Sequence, residues 1–213
     1  MKLFNFLFET PELIEPIGGN FSIENPKRNR SLYDDIMYKH HKDVQKISNE
    51  IKMVYSIRPN EEGYKFQYAG LDIEHKYVPF ISRIDIGSDK ILGKYAFQTL
   101  IWTDSDYKPL FYKWPKKIIF DILLPKYGTV TSDVTHTPLG MKYWGNLVKL
   151  AIDKNINVYF YDRSKKLIVK ILSIHHLHDI QTQYRIWEKS ENGQNKILVI
   201  SKKELKETHQ QEI

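Results

Sequence analysis

Four short runs dense in β-branched and aromatic residues follow one another between residues 51 and 102. They are IKMVYSIR (51–58), YKFQYAGLDI (64–73), YVPFISRIDI (77–86) and KYAFQTLIW (94–102). Side chains of this shape favour extended chain, where they pack on a pleated surface. The connectors PNEEG, EHK and GSDKILG are too short for a parallel crossover, which needs about a dozen residues. The pattern therefore predicts an antiparallel meander.

After Trp102 the period changes. KWPKKIIFDILLPKYG predicts a helix over 115–126, with Ile118, Ile119, Ile122 and Leu123 on one face and Pro125 and Gly128 ending it. TVTSD reads as a short strand. TPLGMKYWGNLVKLAIDK reads as a helix over 138–153, with Thr137 as N-cap, Pro138 at its first position and a buried stripe of Trp144, Leu147, Val148 and Ala151. INVYFYD (156–162) and KLIVKILSI (166–174) are strands, with QYRIWEK and KILVIS as two weaker ones. Strands flanking each of the two helices are expected to be parallel neighbours. Ahead of the meander, SLYDDIMYKHHKDVQKISNEI predicts a helix near 32–51, capped by Ser31 and carrying Ile36, Val44 and Ile47. The Gly- and Pro-containing stretch 15–31 reads as a loop or extended arm. The expected organisation is an arm over 1–31, one mixed α/β domain over 32–201 and a polar tail over 202–213. An antiparallel front half joined to strand–helix units makes the fold class α/β with a mixed sheet.

Composition changes this picture little and narrows the chemistry. With 41% hydrophobic and 27% charged residues, 213 residues suffice for one large domain or one domain with an extension. The 14 Tyr and 10 Phe argue against extensive disorder. Cysteine is absent, which excludes disulfides, thiolate nucleophiles and Cys-ligated zinc. No apolar run approaches the roughly 20 residues that span a bilayer. MKLFNFLFETPELIEP places Glu9 and Glu12 directly after its apolar run and has no small-residue cleavage site, so no signal peptide is expected and the cytoplasm is the expected location. The net charge of +6 suits weak attraction to a polyanion, but the basic stretches PKRNR, YKWPKK, RSKK and SKKELK are dispersed.

The order of elements resembles the GNAT-type N-acetyltransferases, whose sheet is antiparallel up to its fourth strand and continues as strand–helix units. FDILLPKYGTVTSDVTHTPLGMKYWGNL is similar to a stretch in divergent, often phage-encoded GNAT-like proteins. The matching positions are Ser132, Asp133, Thr137, Gly140 and Trp144. The likeness covers about residues 95–162. It implies transfer of an acetyl group from acetyl-CoA to an amine-bearing acceptor, or descent from an enzyme that did so. Tyr143 would then be the general acid and Asp133 or His136 a proton relay or polar anchor. Lys113, Lys116, Lys117 and Ser132 would contact the cofactor. In that family a Gly-rich loop after the fourth strand holds the pyrophosphate. The corresponding TDSDYKPLFYKWPKK has no Gly, and Pro109 and Pro115 each remove an N–H donor.

Each candidate also has a plainer reading. Thr137 and Asp133 serve equally as helix cap and turn anchor, with Gly140 and Trp144 packing. Tyr107, Phe111, Tyr112, Lys113, Trp114, Lys116 and Lys117 either stack bases beside phosphates or cover the sheet edge as a packed loop. SIHHLHD (173–179), with His175, His176, His178 and Asp179, reads as an exposed turn between strands, or as a metal site. No metal is assigned. A Ser132/His136/Asp133 triad is rejected, because neighbours in one turn seldom reach the needed geometry. Alternatives to acyl transfer are a phage or mobile-element module that binds a protein partner on the same scaffold, and a nucleic-acid binder.

Overall fold

A computed structural model describes residues 26–38, 41–60, 63–133, 138–186, 195–206 and 208. Its first element is helix α1 (Pro26–Tyr38), followed by strands β1 (His41–Lys46), β2 (Ile51–Asn60), β3 (Gly63–Asp72), β4 (Tyr77–Asp89) and β5 (Gly93–Thr103). Short helices α2 (Lys108–Phe111) and α3 (Trp114–Lys117) come next, then a π turn (Ile118–Leu123) and α4 (Leu124–Tyr127). The chain continues through β6 (Thr129–Thr131), α5 (Pro138–Asp153), β7 (Asn157–Asp162), β8 (Leu167–Lys170), α6 (Ile174–Tyr184) and β9 (Lys196–Ser201). Among the described residues the strands form one mixed, mostly antiparallel sheet in the order β1-β2-β3-β4-β5-β6-β9-β7-β8. The expected α/β class and meander hold: β2 pairs antiparallel with both β1 and β3, and β3 with β4.

Contacts divide the chain into two compact units. One contains the described residues up to 86 together with 98–115; the other contains 87–97 and the described residues from 116 onward. In the first, α1 presents Asn29, Leu32, Tyr33 and Ile36 at helical spacing, all buried, against Val54, Ala69, Leu71, Val78, Ile81 and Trp102. Buried Asn29 works like a strand edge. Its amide donates to the Val78 carbonyl at 3.0 Å and accepts from the Val78 N–H at 2.7 Å. Residues 26–31 are therefore helical rather than arm, and the helix expected at 32–51 stops at Tyr38. The stripe is anchored by a polar residue, so apolar periodicity alone misplaces it. Residues 41–46 form an edge strand whose Val44 is exposed, so only backbone pairing with β2 identifies it.

In the second unit, Tyr95, Tyr159, Tyr161, Ile168, Ile197 and Val199 pack with Leu92 from the β4–β5 turn. The short strand β6 is paired on both sides. It runs parallel to β5 at Ala96↔Val130 and Phe97↔Thr131, and antiparallel to β9 at Thr129↔Ser201 through Thr131↔Val199. The predicted helix over 115–126 does connect parallel neighbours. Pro125 does not end it. A π turn directly ahead of Pro125 widens the coil, with the Leu124 N–H bonded to the Ile119 carbonyl. That accommodates a ring which would collide with the carbonyl four residues back in an α register. Gly128 closes the helix in the left-handed region, φ 74°, its N–H on the Leu124 carbonyl at 2.9 Å.

Strands β6 and β7 share a direction but are not neighbours, which corrects the second expected parallel pair. Strand β9 lies between them, antiparallel to both. Its Ile197, Leu198, Val199 and Ile200 are all fully buried, and a continuous apolar run of this kind seeks a central position. Strand β8 is shorter than the expected 166–174, because Ser173 caps α6 by accepting the His176 N–H at 3.1 Å. Of the expected strand QYRIWEK, Gln183 and Tyr184 belong to α6; most of the rest lies outside the described residues. The tail is partly tied down. The Leu205 N–H donates to the Tyr159 hydroxyl at 3.0 Å, and Thr208 bridges Ile168 on β8.

Three turns share one construction. Asp72, Asp89 and Asp162 each end a strand and accept backbone N–H groups two or three residues on. The residue four positions after each, Lys76, Gly93 and Lys166, has φ of 51°, 70° and 53°. A carboxylate that satisfies the turn amides and a left-handed residue that returns the chain are what such connections require.

Candidate functional site

The carboxyl end of β6 carries the residues in which the sequence concentrates its chemistry. Ser132 continues the ladder one step beyond the strand, its N–H donating to the Leu198 carbonyl at 2.9 Å. Its hydroxyl accepts the Leu198 N–H at 3.0 Å and donates its proton to the Asp133 carbonyl at 3.0 Å. A hydroxyl has one proton to give, and here it is committed to the chain's own backbone. The buried Thr131 hydroxyl beside it has no hydrogen-bond partner among the described residues. Asp133 is half-buried. Thr135, His136 and Thr137 lie outside the described residues, and with them the proposed relay and cap.

Helix α5 follows, with Trp144, Leu147, Val148 and Ala151 all buried as the periodicity predicts. Tyr143 is half-buried, its ring edge-on to Trp144 at 6.2 Å and 77°. Lys116 and Lys117 sit half-buried in α3, and burial holds the Lys116 ammonium below its ordinary pKa. These residues share a unit with Ser132, Asp133 and Tyr143; Lys113 belongs to the other. Lys113 is exposed, with its ammonium 5.2 Å from the Tyr112 ring centroid.

No family model matches this chain, and no curated protein is significantly similar to it. The site's chemistry is therefore argued from its own residues.

The segment after β5 is built inward. Asp104 caps a single turn by accepting the Asp106 N–H at 3.0 Å, while the N–H groups of Tyr107 and Tyr112 bond to the carbonyls of Asp104 and Lys108. Phe111 is fully buried and stacks on Phe80 at 5.2 Å and 12°, directly over Gly70. Trp114 is buried as well. Of the two readings of the aromatic-plus-basic set, packing accounts for Tyr107, Phe111 and Trp114; Tyr112 and Lys113 face outward.

Sequence reasoning missed a polar cluster that joins this segment to the β3–β4 turn. Buried Asp72 accepts the Tyr107 hydroxyl at 2.6 Å, and the backbone N–H and Nδ1 of His75 at 3.0 and 2.9 Å. Tyr77 donates to Asp104 at 2.7 Å alongside. Burial pushes the Asp72 carboxyl up, but the His75 N–H, the Tyr107 hydroxyl and the His75 ring outweigh it and hold the pKa below its ordinary value. Hydrogen bonding to Asp72, followed by its charge, raises that of exposed His75. Burial first, then Asp72, raises that of Tyr107. Three donors hold the carboxylate and, among the described residues, no nucleophile is bonded to it, so its evident work is to lock the turn and the segment together. The Asp-x-x-His spacing in DIEHK, between two strands, was the available signal.

SIHHLHD is a correction: helix α6, not a turn, carries it. His175, His178 and Asp179 are exposed on that helix, and the Leu172 N–H donates to His176 Nδ1 at 3.4 Å. Among the described residues no cluster of three or more His, Asp or Glu is arranged to hold a metal. None of the described helices is long and apolar enough to cross a membrane.

Proposed function

We propose that this chain is a GNAT-like module that works by binding a macromolecular partner rather than by acyl transfer. Kinship is supported by the parallel β5–β6 pair with helices between them, by β5 running on past the last rung at Phe97↔Thr131, and by α5 following β6. One observation carries the non-catalytic reading. The segment where that family cradles a pyrophosphate spends the N–H groups of Asp106, Tyr107, Lys108 and Tyr112 on its own carbonyls and cap, and lays Phe111 on Gly70. Phosphate capture needs unspent N–H groups converging on a hollow without Cβ atoms. Neither the Ser132 proton nor the partly desolvated Lys116 makes up that loss.

Acyl transfer remains the second reading, with Tyr143 as acid, Asp133 or His136 as relay and acetyl-CoA as donor. It is favoured by half-buried Asp133 just past the end of β6 in an α/β sheet, where ligands usually bind, and by half-buried Tyr143 on the helix that follows. Calorimetric titration with acetyl-CoA separates the two. The expected result is no saturable heat at millimolar cofactor; saturable binding, abolished by Lys116→Glu, overturns the proposal in favour of the enzyme.

A further inference from the structure

We infer that the adjoining tips of the β4–β5 and β7–β8 hairpins form a surface for the phosphodiester backbone of nucleic acid. The inference is independent of whether acetyl-CoA binds. Two side-chain bridges bring the tips together. The Tyr161 hydroxyl donates to Asp89 at 3.2 Å, and Arg163 Nη2 donates to the Tyr95 hydroxyl at 2.7 Å while its guanidinium lies 5.5 Å from that ring's centroid. Gly87 makes room for this arrangement, since a Cβ there would stand 2.5 Å from the Tyr95 hydroxyl oxygen. Ile91 and Leu92 pack on Tyr159, Tyr161 and Ile197, which fixes the first turn in place.

The joined tips are strongly cationic. Lys90, Lys94, Lys165 and Lys166 are exposed, and none makes an ion pair among the described residues. Arg163 directs one N–H at Tyr95 and has five donors in all. The two carboxylates in these turns are engaged by the fold: Asp162 is 2% exposed and accepts from Ser164 and Lys165, and half-buried Asp89 accepts from Ile91, Leu92 and Tyr161. The two turns therefore expose positive charge while the negative charge serves the fold.

The kind of polyanion follows from what surrounds the lysines. Tyr95 and Tyr161 are buried, so the tips offer no ring for base stacking and would read backbone charge without sequence preference. A membrane surface would call for apolar side chains beside the cations, but Ile91 and Leu92 point into the core. The partner that fits is a nucleic-acid backbone.

Fluorescence anisotropy with a 20-base-pair duplex of arbitrary sequence tests this. With four or five phosphates engaged, affinity is expected to fall about 150- to 500-fold between 50 and 200 mM salt. Lys90→Glu/Lys165→Glu should weaken binding at least tenfold and lower the salt slope by about two. Lys149→Glu/Lys154→Glu, exposed positions on and just after α5, alters net charge equally and should leave affinity within about twofold. All four lysines are exposed, and unchanged melting temperatures verify that both variants fold. No binding at 50 mM salt, equal weakening by both double variants, or preferential binding to phosphatidylserine vesicles would each overturn the inference.

Discussion

Replacing Gly70 with alanine tests whether the segment after β5 is truly seated on the sheet. Gly70 lies within β3, opposite Met53 on β2 and Phe80 on β4. Its backbone is not in the left-handed region, so alanine meets no conformational strain there and should gain roughly 0.5–1 kcal/mol by stiffening the unfolded chain. The added Cβ, however, would stand 2.3 Å from Phe111 Cζ and 2.5 Å from Cε1, against an optimum of about 3.5–4.0 Å for carbon pairs. The ring is fully buried and stacked on Phe80, so it cannot retreat, and overpacking of this kind costs about 1–3 kcal/mol. Gly70→Ala should therefore destabilise by about 1–2 kcal/mol overall. Phe111→Leu removes the very atoms that clash. In that background the same Gly70→Ala change should become stabilising by roughly 0.5–1 kcal/mol, a coupling of about 2 kcal/mol between neighbours. Urea denaturation of the four proteins measures it, provided the slope of stability against urea is unchanged. Equal costs for Gly70→Ala in the two backgrounds would refute the packing.

Asn29→Ala should cost about 2–4 kcal/mol in the same assay, because it leaves the buried Val78 N–H and carbonyl without their partners; a loss under about 0.5 kcal/mol would mean α1 does not dock through this residue. His75 should titrate above the ordinary histidine value of 6.5. Because the folded pKa is the raised one, its contribution to stability is complete below pH 6.5 and disappears as pH climbs through the folded value. An NMR titration in which His75 sits at or below 6.5, or does not fall back on Asp72→Asn, would contradict the Asp72–His75 bond.

How much of this was legible depended on whether a feature advertised itself in side-chain type. The four meander strands, β7, β9 and the Trp144–Ala151 stripe of α5 all show apolar residues at the period of their structure, and they lie where the pattern puts them. Strand β1 does not, because an edge strand with exposed Val44 needs no apolar alternation. Helix α1 was displaced because the residue that docks it is an asparagine. The insertion of β9 between β6 and β7 is a long-range choice, which local periodicity cannot contain. At the candidate site, the sequence correctly placed Ser132 at the end of a strand in the sheet, but not that its hydroxyl would be spent on Leu198. The Asp72–His75–Tyr107 cluster joins residues 35 positions apart, and only its Asp-x-x-His half was visible in sequence. The shared Asp-to-left-handed turn was hidden at two of its three occurrences because lysine, not glycine, takes the positive φ.

Packing and phosphate capture make opposite demands on one piece of chain, and that opposition governs the functional argument. A loop that holds a pyrophosphate needs its own glycines, so that backbone N–H groups reach the oxygens without interference from Cβ atoms. Residues 104–115 contain none. The glycine stands instead in the strand beneath, at position 70, where its missing side chain admits the Phe111 ring to the sheet. The small residue thus lets an aromatic ring, and not a phosphate, come close to the backbone. Building a phosphate loop here would take more than adding glycine at 104–115. The buried Phe111 and Trp114 would have to leave a core they now fill, at a cost of about 3–5 kcal/mol for each large aromatic removed. A loop seated in this way supports the proposed partner-binding role over opening for a cofactor.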